Sequence, residues 1–125
     1  YQANDAKLWN RDSNLMGWKY YLGRENNADG KAADNTPIYA AASRAKDLGT
    51  LPPAYISVGP ADGFIDENRD YADRLALHHV DVQLEIFVGG FHGFEFLVPA
   101  ATIARDARNK HYAAIRKALF PTRAA

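Results

Sequence analysis

The chain has no cysteine, and that absence removes disulfides, thiolate metal sites and a cysteine nucleophile together, while leaving the redox compartment open. It lacks an excess of either charge as well. Fifteen basic residues balance fifteen acidic ones, and no dense Lys/Arg cluster is interleaved with aromatics. No field gathers a polyanion, so nucleic acid is not an expected partner. No apolar run approaches the roughly 20 residues that cross a bilayer, and the N-terminus has no basic-then-apolar signal pattern. A membrane span is therefore not expected, and the cytoplasm is the default compartment. Internal repeats and low-complexity segments are also lacking. The first residue is Tyr1 rather than methionine, which raises the expectation of a processed, cleaved or truncated product.

What is present supports a packed core. Of 125 residues, 47% are hydrophobic and 24% charged, the balance of one modest folded domain rather than of a disordered chain. Residues 1–30 are polar and aromatic, with Trp9, Trp18, Tyr20 and Tyr21. A short helix is predicted across Leu15 to Leu22, and the Asn-Asn-Ala-Asp-Gly cluster at 26–30 reads as a loop. Pro52 and Pro53 forbid helix and lead extended backbone into Ala54–Val58, an apolar run closed by Gly59-Pro60 that reads as a buried strand.

The period then changes from two to 3.6. Ile65, Tyr71 with Ala72, and Leu75 fall near helical spacing, Asp66 and Glu67 suit the positive end of the helix dipole, and His78-His79 lie near its end. Val82, Leu84, Ile86 and Val88 alternate with Gln83, Glu85 and Phe87 as in a strand, which Gly89-Gly90 ends. Ile103, Ala107, Tyr112, Ile115 and Leu119 approximate one apolar stripe of a long helix that stops before Pro121. Strand, helix and strand from Ala54 to Val88 make one βαβ unit, with parallel strands and a right-handed crossover. The fold class is α/β.

In an open parallel sheet, ligands gather outside the carboxyl ends of the strands, where loops are free of core duties. That rule selects Asp62, four residues beyond Val58, and His92, four beyond Val88. Neighbouring parallel strands set such loops side by side. A carboxylate there accepts the Nδ1 proton of the imidazole, fixes its tautomer and stabilises the imidazolium formed when the ring takes a proton. The glycines of GGFHG allow a sharp turn and close approach of substrate, and Phe91, Phe94 and Phe96 are candidates to line an apolar pocket. A second reading stands beside this one: Asp62 as a helix cap and His92 as a packed, hydrogen-bonded residue. Elsewhere, His78-His79 with Asp81 have metal-binding side-chain types, but helix neighbours point in different directions, so they read as a solvated helix end. Asp66, Glu67 and Asp70 read as a charged first turn, and Arg105, Asp106, Arg108 and Lys110 as a solvated helix face. Trp9 and Trp18 read as core or loop-packing residues.

LPPAYISVGPADGFIDENRDYADRL, followed by VQLEIFVGGFHGFE, resembles the C-terminal part of the hormone-sensitive-lipase-like esterases of the α/β-hydrolase superfamily. In that pattern a Leu-Pro-Pro approach to a strand leads to G-x-x-D-x-x-x-D-E, and an aromatic or apolar residue later precedes His-Gly-Phe. Gly59, Asp62, Asp66 and Glu67 fit the first motif; Phe91, His92, Gly93 and Phe94 fit the second. Upstream, Trp9, Gly17-Trp18, Tyr21-Leu22-Gly23 and YAAASRAKDL at 39–48 resemble the stretch these esterases carry between serine and acid. The resemblance covers nearly the whole chain. It implies Asp62 as the acid and His92 as the general base of a Ser-His-Asp triad that hydrolyses carboxylic esters of short or medium acyl chains, without cofactor or metal. It also implies a single partial domain: residues 1–50 a helix and loop segment, residues 51–125 a βαβα unit of an incomplete α/β-hydrolase sheet.

Two features of the family pattern do not occur in these residues, namely the nucleophile elbow G-x-S-x-G and the His-Gly-Gly-Gly oxyanion segment, both of which belong upstream. Ser13, Ser43 and Ser57 lack elbow context, and in Gly59-Pro60-Ala61-Asp62-Gly63 alanine occupies the nucleophile position. The isolated chain is therefore expected to be inactive or nearly so. Expected partners are a small-molecule carboxylic ester and, through the open sheet edge, the N-terminal part of the hydrolase or a second copy. Two other readings remain: a non-catalytic α/β interaction module with a structural Asp62 and His92, and a complete small hydrolase with an unusual nucleophile, such as Asp62 itself.

Overall fold

A computed structural model describes residues 8–23 and 36–121. The loop expected at 26–30 lies outside the described residues. At the centre are two strands, β1 (Ala54–Val58) and β2 (Val82–Ile86), joined through the helix α2 (Ile65–Leu77). They pair in parallel, with Ala54 opposite Val82 and Val58 opposite Ile86. Side chains alternate across a strand, so each face needs its own cover. On one face Ala54, Ile56 and Val82 pack with Leu48, Leu75 and Val80 beneath α2. On the other, the helix α4 (Thr102–Leu119) brings Ala104 and Ala107 against Phe87 and Phe94, and the short helix α3 (Phe94–Leu97) supplies Phe94.

The helix near the N-terminus, α1, spans Arg11–Leu22 and so starts a turn earlier than periodicity predicts. Asn10 caps it: its side-chain oxygen accepts from the Ser13 N–H at 2.9 Å, satisfying a donor that the first turn leaves unpaired. Gly23, left-handed at φ 64°, ends it. At the other end of α2, Val80 N–H reaches Leu75 O and His79 N–H reaches Ala76 O, the paired bonds of a Schellman stop, with Val80 and Leu75 in apolar contact. His79 carries the positive φ of 61° that this stop requires. The helix-end reading of His78-His79 therefore has a geometric cause.

Three expectations need correction. Strand β2 ends at Ile86 rather than Val88, because the chain turns through a Gly90 N–H to Phe87 O bond; Phe87 is buried while Val88 is exposed. The stripe on α4 packs only in its first half. Tyr112, Ile115 and Leu119 are exposed, since 18 residues extend about 27 Å and outreach a pair of five-residue strands. The charged residues of α4 are not merely solvated. Arg108 donates to the carbonyls of Glu95 and Pro99 at 2.8 Å each, pinning the α3 segment, and Lys110 donates to Glu85 on β2 at 2.9 Å. No helix among the described residues is long and apolar enough to cross a membrane.

Candidate active site

The loops leaving β1 and β2 touch backbone to backbone. A Cβ on Gly59 would sit 2.2 Å from the carbonyl carbon and oxygen of Gly90, so only hydrogen fits there. The Ala61 N–H then donates to Gly90 O at 3.1 Å, continuing the ladder past the last strand pair. This seam carries Asp62 and His92, one on each loop. Gly93, left-handed at φ 71°, turns the chain immediately after His92 and starts α3.

Asp62 divides its two oxygens. Oδ1 accepts from the Phe64 N–H at 3.0 Å, a turn closed by the side chain just ahead of α2. Oδ2 lies 3.1 Å from Nδ1 of His92. An ionised carboxylate can only accept, so Nδ1 carries the hydrogen in this contact and Nε2 is the nitrogen with a lone pair to offer. The Asp62 side chain is 12% exposed and that of His92 is 44% exposed. The carboxylate is tucked behind the imidazole, and the imidazole faces outward.

A cavity of about 370 Å³ opens beside them, lined in part by Asp62, Phe64, Asn68, His92 and Phe96. Of the three phenylalanines expected around a pocket, all border this cavity, but in different ways. Phe96 is exposed, Phe91 is partly buried, and Phe94 is chiefly a core residue packed on Phe87. Phe64 was not among the expected lining residues, although its place two residues beyond Asp62 suits the turn that positions it. Its ring lies 5.6 Å from the His92 ring. Trp9, from far upstream, also reaches this ring, at 6.1 Å, and no sequence pattern announces that contact.

Other polar groups are engaged elsewhere. Ser57 Oγ and His111 Nε2 share a hydrogen bond of 2.7 Å, which ties β1 to α4. The bond from Lys110 holds the Glu85 carboxyl below its ordinary range and lifts the Lys110 ammonium above its own. Burial is the main cause that raises the Tyr55 hydroxyl. His78 lies 3.7 Å from Asp47, and among the described residues no three His, Asp or Glu side chains converge as a metal ion would require.

The chain is similar to known proteins. Residues 1–96 match a family described as alpha/beta hydrolase fold. The chain is 38% identical over 88 residues to esterase LipI of Mycobacterium tuberculosis, an alignment covering 68% of this chain and 27% of that one. A bacterial heroin esterase superposes with a TM-score of 0.81 at 40% identity, covering 90% of this chain and 35% of the other. Esterase LipW from Mycobacterium marinum gives a TM-score of 0.72 at 31% identity, covering 85% and 31%. The chain thus spans about a third or less of the length of these relatives.

Proposed function

We propose that this chain, which belongs to the alpha/beta hydrolase fold family, supplies the acid and the general base of a serine esterase acting on small carboxylic esters. The observation that carries the reading is the 3.1 Å contact between Asp62 Oδ2 and His92 Nδ1 at the ends of adjacent parallel strands. Asp62 orients the ring and stabilises its protonated form. His92 Nε2 takes the proton of a serine hydroxyl as that oxygen attacks the ester carbon, then returns it to the departing alkoxide. The resulting acyl-enzyme is released by a water that the same nitrogen deprotonates. No step calls for a cofactor.

The serine comes from outside these residues. Ser57, the serine bordering the cavity, is engaged with His111 rather than His92, and neither Ser13 nor Ser43 follows a strand. A segment bearing G-x-S-x-G and an oxyanion hole completes the site, either within a longer polypeptide or as a complementing partner. The free edge of β1 is where the remaining sheet pairs, and a second copy is the other candidate for that edge.

The test is hydrolysis of p-nitrophenyl butyrate. The purified chain is expected to show no turnover above buffer, and strong hydrolysis by it would overturn the external serine. In a polypeptide joining this chain to a G-x-S-x-G segment, Asp62→Asn is expected to lower kcat on the order of 10⁴-fold and His92→Ala on the order of 10⁶-fold. Retention of activity in both variants would favour the interaction-module reading, in which the Asp62 turn ahead of α2 is the whole role of that carboxylate.

A further inference from the structure

The imidazole of His92 does not stand alone against Asp62. Trp9, Phe64 and His92 form a triangle of rings, with centroids 5.6 Å apart for Phe64 and His92, 6.1 Å for Trp9 and His92, and 6.5 Å for Trp9 and Phe64. The indole and imidazole planes are inclined by 30°. Each bracket is itself held. Phe64 is fixed by its N–H bond to Asp62 Oδ1, so the acid grips His92 directly through one oxygen and delivers a ring against it through the other. Trp9 directly precedes the Asn10 cap of α1, and its Nε1–H donates to Asn14 Oδ1 at 3.3 Å, one turn into the helix. Its six-membered ring lies over Gly17, where an added Cβ would stand 3.4 Å from it. No residue of helix α1 is fully buried among the described residues.

We infer that Trp9 is a positioning residue for His92, and that the cap and first turns of α1 serve to hold its indole on the imidazole. A single hydrogen bond at Nδ1 fixes one atom and leaves the ring free to pivot about it. Two flanking rings remove that freedom and aim Nε2. Aiming Nε2 matters at the moment the proton moves, so the effect falls on the transition state more than on bound substrate and belongs to kcat rather than KM. This consequence rests on the reading of His92 as the general base; the ring geometry does not.

Two measurements test it separately. In the isolated chain, indole ring currents displace the carbon-bound proton resonances of the His92 ring. Trp9→Leu is expected to move them toward the positions of an unstacked histidine, and Trp9→Phe to restore part of the displacement. Asn14→Ala, which unties the indole while leaving it present, is expected to move them in the same direction as Trp9→Leu, and it decides the matter if Trp9→Leu fails to fold. Unchanged His92 resonances in the folded variants would overturn the inference. In the polypeptide carrying the G-x-S-x-G segment, Trp9→Leu is expected to lower kcat roughly 2- to 5-fold at unchanged KM, with Trp9→Phe recovering most of the loss. If His92→Ala abolishes turnover while Trp9→Leu leaves kcat intact, Trp9 has no positioning role and the base assignment survives. If His92→Ala leaves turnover intact, the base assignment falls, and with it the catalytic role given to Trp9.

Discussion

Gly59 occupies a place where the next-door loop leaves room only for hydrogen, and the consequence can be measured. Gly59→Ala forces its Cβ against Gly90 and is expected to cost about 1–3 kcal/mol in urea denaturation, the range for overpacking without room to relax. The Asp62–His92 contact is expected to loosen with it, seen as a shift of the carbon-bound proton resonances of the His92 ring. Asp62 offers a complementary experiment, because its oxygens have separate tasks. Asp62→Ala deletes the acceptor for the Phe64 N–H and is expected to destabilise by about 1 kcal/mol, the size of one lost hydrogen bond. Asp62→Asn keeps that acceptor and is expected to spare most of the stability. Asp62 does not cap α2, whose N-cap is Phe64 without a side-chain cap bond; its turn with the Phe64 N–H and its contact with His92 are compatible because they use different oxygens. Sequence reasoning had to treat the capping and triad readings as rivals because one carboxylate at a strand end suits both, and only the positions of Phe64 and His92 reveal that each oxygen has its own partner.

Among the elements, β1, α2 and α4 were legible because apolar spacing, prolines and glycines all agreed on them. The start of α1 was less so, since its helix is set by a polar cap rather than an apolar face. The end of α2 carries a testable cost. His79 adopts a left-handed conformation that glycine tolerates without a Cβ clash, so His79→Gly is expected to raise stability by about 0.5–1 kcal/mol in thermal or urea unfolding. The link between β2 and α4 predicts a pH dependence. The hydrogen bond from Lys110, and then that from Gln83, lowers the Glu85 carboxyl from its ordinary 4.5. A lowered carboxyl binds its proton less readily when folded, so its contribution is present above that ordinary value and is lost as pH falls through the lowered one. Lys110 is raised by the same bond from 10.5, so its contribution is present below that value and is lost as pH rises through the raised one. Glu85→Gln is expected to flatten both limbs relative to the parent chain in urea midpoints taken across pH.

At the scale of the molecule, the described residues form a two-stranded sheet with helices on both faces and uncovered apolar surface around it. Tyr112, Ile115, Leu119 and Phe120 are exposed along the outer half of α4, as are Val88 and Leu77 elsewhere. With β1 paired to β2 alone among the described residues, the chain is expected to associate when purified, giving a mass above the monomer in light scattering at high concentration. Co-production with the segment bearing G-x-S-x-G is expected to replace that self-association by a one-to-one complex. A monodisperse monomer would count against the open edge as a pairing site. By itself the sequence determined the α/β class, the βαβ order, the parallel pairing and the two strand-end residues Asp62 and His92, because these follow from local periodicity and from chain rules that apply to any parallel sheet. Only the tertiary structure decided which oxygen of Asp62 meets His92, that Gly59 and Gly90 seam the two loops, and that the Trp9 ring lies beside that of His92. Those are meetings between residues distant in the chain, and such contacts depend on the packing of whole elements rather than on any pattern written along one of them.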